Sequence, residues 1–400
     1  MDATTRVPAR RLEWLRGELA RWQADGLIDA GTAAQIAGRY VPGRRLSLER
    51  LILVLGGGFL GVGLIWLVSA NLHLISPLTR FAGILIIWLG AAVLGEILAR
   101  VVRPGPDGRP RPGAEGGAEA ARLVTVLAGG GVVFQAAQSL QVPAYESSLL
   151  GVWAAGSLAY AYATGARGPL LAALVLGAGW YGWFAGEHLS VGGGVAVALL
   201  IAGVVSVAVA VLHEAGWRPE FAPLWRLTGV VLVLVGLFVA AFPRASGAGG
   251  MYGSVAIWPG LVAVVLAGAA AFALGDTGGR REVAAVVLML GAALLLVAWA
   301  PELPAYPAGP GAAQTARALA GTLVYVLSAV WFAVVAARRD LSPLVYLVTA
   351  ALVLFVTVQS FAVFQPLLSG AALFLVLGVV FLVTGVLVDY GRRRLMRVVR

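Results

Sequence analysis

Gln135, Gln138 and Gln141 recur at three-residue spacing toward one end of an apolar stretch. On a helix this keeps three neutral amides on one side, with modest drift. Amides at membrane depth either line a polar cavity or hydrogen-bond a neighbouring helix, the latter worth about 0.6–2 kcal/mol each. The helix–helix role fits most of them, and Gln138 is the leading candidate for contact with a ligand. Asn71, at the outer end of the first apolar stretch, and Gln359, late in the chain, complete the candidate ligand-binding set of Gln138, Gln135, Asn71 and Gln359. Gln359 belongs to a second copy of one pattern. Leu123-Val124-Thr125 precedes Gln135 and Gln141 as Leu347-Val348-Thr349 precedes Gln359 and Gln365. A parallel repeat and a coincidence of biased composition both account for this.

Charged candidates lie elsewhere. No Asp, Glu, Lys or Arg falls near the middle of any apolar stretch, which disfavours a pump built on a buried carboxylate. Glu96 is read as an i,i+4 partner of Arg100 at a helix end. His73, Glu146, Glu187, His188 and Glu302 share the outer face with Tyr145 and Tyr306. Imidazoles and carboxylates that converged would suit a zinc-like ion, but these are spread over different loops without motif spacing and read as solvated loop residues. The composition has no cysteine, which excludes disulfides, thiolate metal sites and cysteine nucleophiles. No catalytic residue, metal or cofactor is implied.

The elements that position these residues are apolar. Twelve nearly uncharged stretches of about 17–23 residues run through the 400-residue chain, each the length of a helix crossing the roughly 30 Å hydrocarbon core. They are drawn at 51–70, 78–99, 123–141, 148–165, 169–186, 193–213, 224–243, 255–274, 282–300, 315–337, 342–360 and 367–388. Charged residues make up 12% and hydrophobic ones 60%. A soluble domain carries about 25% charged residues. The fold class is therefore all-α, a polytopic transmembrane bundle with a small N-terminal cytoplasmic helical hairpin.

That hairpin is drawn from Arg10 to about Tyr40. Leu12, Leu15, Leu19 and Trp22 stripe its first helix, Gly26 stops it and Asp29 caps the second. The chain then divides into a two-span unit (47–99), a Gly/Pro/Arg-rich flexible cytoplasmic loop (100–122), a ten-span bundle (123–390) and a basic tail (391–400), after the hairpin at 1–46. All 29 basic residues are arginine, and with the N-terminus cytoplasmic all but Arg80, Arg244 and Arg317 fall on the cytoplasmic side. That asymmetry orients the chain with both termini inside a bacterial plasma membrane. The hairpin arginines Arg11, Arg16 and Arg21 face anionic headgroups or a protein partner rather than nucleic acid.

Gly57 and Gly61 form a small-xxx-small pair, and Gly129 to Gly131 and Gly192 to Gly194 are further clusters. They permit close helix approach. Without a preceding strand they are not a nucleotide fingerprint. Trp180, Tyr181, Trp183 and Phe184 read as an interfacial aromatic belt, or as a lipid or isoprenoid contact.

Leu19, Trp22, Gly26-Leu27-Ile28 and Tyr40, then Glu49-Arg50, a glycine-rich span and Ser69-Ala70-Asn71, follow one another in an order that resembles the bacterial membrane family called domain of unknown function 2157. Gln135-Ala136-Ala137-Gln138 through Trp153 and Tyr160 is similar to that family's glutamine-bearing span and the hairpin after it. The resemblance covers roughly residues 10–185. It departs at Leu72-His73, where an aromatic or acidic residue is expected after the asparagine, and at Ser139-Leu140, where a Tyr-His pair is expected. It implies a multispanning inner-membrane protein with a cytoplasmic helical head and no established chemistry. Three functions compete: a transport-like or lipid/isoprenoid-handling protein, a non-catalytic scaffold, assembly factor or sensor acting through the hairpin, and an intramembrane enzyme. The enzyme is the least favoured, because it would normally show a buried acid–base or metal cluster and the sequence offers none.

Overall fold

The computed structural model describes residues 5–7, 9–42, 48–70, 76–101, 114–143, 146–189, 192–242, 257–299 and 312–364. The head comes first, with β1 (Thr5–Val7), α1 (Ala9–Ala24), α2 (Ala30–Gly38) and β2 (Tyr40–Pro42). α1 stops where glycine permits a left-handed turn. Gly26 has φ +71°, and the N–H of Leu27 reaches back to the Trp22 carbonyl at 2.9 Å, the pattern of a Schellman cap. Asp29 caps α2, its carboxylate accepting from the Thr32 N–H at 2.6 Å and the Thr32 hydroxyl at 3.2 Å. These donors hold the Asp29 carboxyl below the usual range. Leu19 is buried between the head's elements, with Leu15 and Trp22 half-buried beside it. β1 and β2 pair in parallel, Thr5 opposite Tyr40 and Val7 opposite Pro42. The sequence gives no sign of this short pairing, because three residues are too few for a strand period to register.

Eleven apolar helices follow: α3 (Leu48–Ala70), α4 (Pro77–Val101), α5 (Ala114–Ser139), α6 (Ser147–Thr164), α7 (Arg167–His188), α8 (Gly193–Leu212), α9 (Ala222–Ala241), α10 (Trp258–Leu274), α11 (Thr277–Ala298), α12 (Ala312–Arg338) and α13 (Ser342–Phe364). Each occupies one of the expected stretches, and the expected segment 367–388 lies outside the described residues. Among the described residues eight helices are long and apolar enough to cross a membrane: α4, α5, α7, α8, α9, α11, α12 and α13. α10 is apolar but only 17 residues long, and α6 is diluted by serines and tyrosines. Eight, rather than twelve, is therefore the number of spans that meet both criteria here.

One boundary moves. α5 begins at Ala114 rather than near Leu123, so residues 114–122 of the expected flexible loop are helical. Two contacts hold the added turns. Arg122 grips Glu96 of α4 with Nε and Nη2 at 2.9 and 3.1 Å, and Glu119 accepts the N–H of Gly168 at 3.1 Å. Glu96 thus pairs with Arg122, not with Arg100 as the i,i+4 rule proposed.

Packing is closest at the centre of the second half, where α8 lies against α9, α10 and α11, and α9 against α12. Between lipid-facing helices there is no hydrophobic drive to associate, so close van der Waals fit must supply it. Gly203 and Gly229 provide that fit. A Cβ on either would lie 3.0 Å from the other's carbonyl oxygen, so the two backbones touch. In the first half Gly57 and Gly61 of α3 meet Ala120 and Leu127 of α5, while Gly130 admits the Trp153 indole, 2.6 Å from where a Cβ would stand.

Candidate functional site

α9 is fastened at both ends by a buried arginine. Arg226, in its second turn, is 1% exposed. Its Nη1 and Nη2 donate to the two carboxylate oxygens of Glu214 at 2.8 Å each, and its Nε donates to Glu282 Oε2 at 2.9 Å. Arg339, just past α12, bonds the same two acids, Nη1 to Glu214 Oε2 at 2.6 Å and Nε to Glu282 Oε1. Two guanidinium groups and two carboxylates therefore form a closed, formally neutral quartet. Its members come from α9, α11, the residue after α12 and the short π-helical turn His213–Trp217 that follows α8. Bidentate charge-assisted pairs are among the stronger polar contacts, and closure satisfies charges that would be costly to bury singly.

At the far end of α9 stands Arg317, fully buried at 0% exposure. Its partners are backbone carbonyls. Nη1 donates to Phe242 at 2.7 Å and Nη2 to Ala240 at 3.1 Å, while Nε is shared between Leu296 at 3.1 Å and Trp299 at 2.9 Å. These carbonyls end α9 and α11, which lack intrahelical partners there and carry the negative end of the helix dipole. One side chain near the start of α12 thus closes two neighbouring helices. α9, α11 and α12 are tied together at both ends, with Tyr325 and Phe332 among the core residues between.

The π-helical turn also reaches the first half. His213 is buried, and its Nε2 lies 2.6 Å from the Tyr162 hydroxyl of α6. Trp225 Nε1 donates to that hydroxyl at 3.0 Å, and Arg218 Nη2 donates to the Tyr162 carbonyl at 3.0 Å. Phe221 meets the Tyr162 ring edge-on. Gly216, at φ +144°, lets the chain turn out of the helix between these contacts. His213 and Glu214, adjacent in sequence, therefore bind opposite halves of the bundle.

The amide candidates separate. Gln135 is 5% exposed and Gln359 4%, whereas the Gln138 side chain is exposed near the end of α5. The deep member of that series is Gln135, one turn before Gln138. Gln141 lies beyond the helix in a left-handed conformation at φ 59°. Both amide atoms of Gln359 are buried without a hydrogen-bond partner among the described residues. Asn71, His73 and Glu302 lie outside the described residues. Of the residues expected on the outer face, Glu187 accepts from the Ser147 hydroxyl at 2.7 Å, and His188 stacks on Phe184. Among the described residues no three His, Cys, Asp or Glu side chains gather as metal ligands do. Trp180 is not simply a belt residue: its indole packs over Gly151 of α6, while Trp183 is exposed.

The quartet escapes a reading that counts arginines as loop charges. A signal was present. Arg226 and Glu282 are opposite charges that fall at the starts of the expected stretches 224–243 and 282–300. Arg317 likewise falls inside 315–337.

No curated protein and no solved structure matches the sequence. Residues 20–170, from α1 into the start of α7, match the family model described as "Predicted membrane protein (DUF2157)", the family that the sequence resembles.

Proposed function

We propose that this membrane protein is a non-catalytic scaffold or sensor whose second half is a rigid block and whose N-terminal head is the part that meets partners. The single observation that carries the reading is the double fastening of α9, α11 and α12, by the Arg226–Glu214–Glu282–Arg339 quartet at one end and the Arg317 carbonyl clamp at the other. A transporter must open one face and then the other. Removing one partner from a buried pair such as Arg226–Glu282 costs about 3–5 kcal/mol, so parting α9 from α11 at that end is steeply uphill, and parting them at the other end strips the buried Arg317 of carbonyl acceptors. Exposed arginines such as Arg167, Arg281 and Arg338 face anionic headgroups at the cytoplasmic side of a bacterial plasma membrane.

A second reading, transport-like or lipid- and isoprenoid-handling, is favoured by one observation, the buried amide of Gln359, which has no hydrogen-bond partner among the described residues. A polar group without a partner in an apolar wall is a common feature of small-ligand sites. Gln135, the exposed Gln138 and the sequence candidate Asn71 belong to the same reading.

Spin–spin distances separate the two. The chain has no cysteine, so paired cysteines can be labelled without background. Leu295 with Leu319 reports one end of α11 and α12, and Arg281 with Arg338 the other; all four side chains are exposed. A scaffold gives one narrow distance for each pair in proteoliposomes. Two populations, with one end widening as the other narrows, would overturn the scaffold reading and support transport.

A further inference from the structure

The head carries an unusual edge. The buried side of α1 is marked by Leu15, Leu19 and Trp22, yet Trp14 is 64% exposed. Arg10, Trp14, Gly17, Arg21 and Ala24 follow one another at i, i+4, i+7, i+11 and i+14, which places them in one stripe along the helix, on the side turned away from the buried face. The stripe holds an indole between two arginine positions and contains no carboxylate. The Arg21 side chain is 76% exposed, and its nearest acid, Glu18 on the adjoining stripe, engages Nη1 at 2.9 Å, leaving the rest of the five-donor fork. The tether is short. Only residues 43–47 separate Pro42 of β2 from Leu48 of α3, the first apolar helix, and an extended chain of that length spans at most about 20 Å.

We propose that this stripe of α1 rests on the chain's own bilayer, with the Trp14 indole among the headgroups and Arg21 on the phosphates of anionic phospholipids. The inference deepens the scaffold reading by giving the head a fixed seat, and it draws from that reading only the head's place beside a membrane. Tryptophan concentrates at the headgroup level because its ring is apolar and its N–H is polar. Arginines near an anionic surface each add to binding. A helix with one apolar edge and a basic flank lies in the plane of the interface. The seat leaves the opposite flank of α1, where Gln23 is exposed, turned toward water and available to a partner.

The test uses the full chain in proteoliposomes of phosphatidylcholine with and without phosphatidylglycerol. Gly17→Cys places one spin label on the stripe, at a position where a side chain meets nothing within 4 Å, and keeps Trp14. Gln23→Cys labels the opposite flank. The expected result is that the label at 17 collides several-fold more with oxygen relative to an aqueous nickel chelate than the label at 23, and more so with phosphatidylglycerol present. Trp14→Asp in the Gly17→Cys background should bring the ratio at 17 down to that at 23. Equal nickel access at 17 and 23 in both vesicle compositions would overturn the proposal. A ratio at 17 that ignores phosphatidylglycerol would overturn the assignment of Arg21 to phosphate. Head accessibility and the distances across α11 and α12 are independent readouts, so either idea can fail without the other.

Discussion

Arg226 and Arg317 solve the same problem, a buried cation, by different chemistry. Arg226 is neutralised by carboxylates in a closed ring of charges, so its loss leaves Glu282 and Glu214 sharing Arg339 alone. Arg226→Met should cost about 3–5 kcal/mol, and adding Glu282→Met should recover part of it, because a buried pair replaced by apolar groups of similar volume is often neutral. Thermal midpoints in detergent for the single and double variants check this; a double variant worse than the single would show that Arg339 depends on Glu282 more than the ring geometry implies. Arg317 needs shape more than charge. Its planar fork reaches carbonyls on two helices, which a lysine's compact ammonium cannot span. Arg317→Lys should therefore destabilise nearly as much as Arg317→Met, and a lysine variant as stable as the parent would argue against the clamp. Neither arrangement was legible as a partnership in the sequence. Pairing across α9, α11 and α12 is long-range, and no spacing rule along one helix encodes it.

At the scale of elements, glycine position decides what can approach what. Helix existence was readable because a run of about 20 apolar residues has few other fates, and Gly57, Gly61 and Gly129 to Gly131 were readable as contact surfaces. What the pattern cannot tell is which glycines face a neighbour and which face lipid. Gly203 and Gly229 touch backbone to backbone, whereas Gly83 and Gly90 of α4 have open space where a Cβ would stand. The distinction makes a sharp prediction. Gly203→Ala places a methyl 2.9 Å from the Val233 nitrogen and 3.0 Å from the Gly229 carbonyl, atoms that move only if α8 and α9 part, so it should lower stability by about 1–3 kcal/mol as overpacking does. Gly83→Ala and Gly90→Ala should be neutral or slightly stabilising, since alanine is the better helix former. Unfolding titrations of the three variants check the order. A neutral Gly203→Ala would mean the α8–α9 contact is looser than drawn. The same limit explains the α5 start: residues 114–122 follow a Gly-, Pro- and Arg-rich run and read as its continuation until Arg122 and Glu119 find Glu96 and Gly168 on other helices.

For the whole molecule the two arginine networks mark the two faces of the second half. Glu214, Arg226, Glu282 and Arg339 meet at one end. The carbonyls of Phe242 and Trp299 meet Arg317 at the other. For this to hold, the chain must run from one face to the other between residues 226 and 242, and again between 282 and 299 and between 317 and 339. Alternating the apolar stretches along the sequence groups Arg218, Arg226, Arg280, Arg281, Arg338 and Arg339 on one side and Arg244 and Arg317 on the other, and the arginine excess on the first side makes it the expected cytoplasmic one. Reporter fusions after Gly216, Gly279 and Asp340 should therefore report one compartment, the cytoplasm, while fusions after Gly249 and Gly309 report the opposite one. The alternation tests the helix ends, and its sign tests the positive-inside bias. A cytoplasmic signal at Gly249 together with one at Gly279 would place both ends of α10, the 17-residue helix, on the same side. With Gly216 also cytoplasmic, α9 would not cross either, and the Arg317 clamp would have to form on the same face as the quartet, which a 20-residue apolar α9 does not permit.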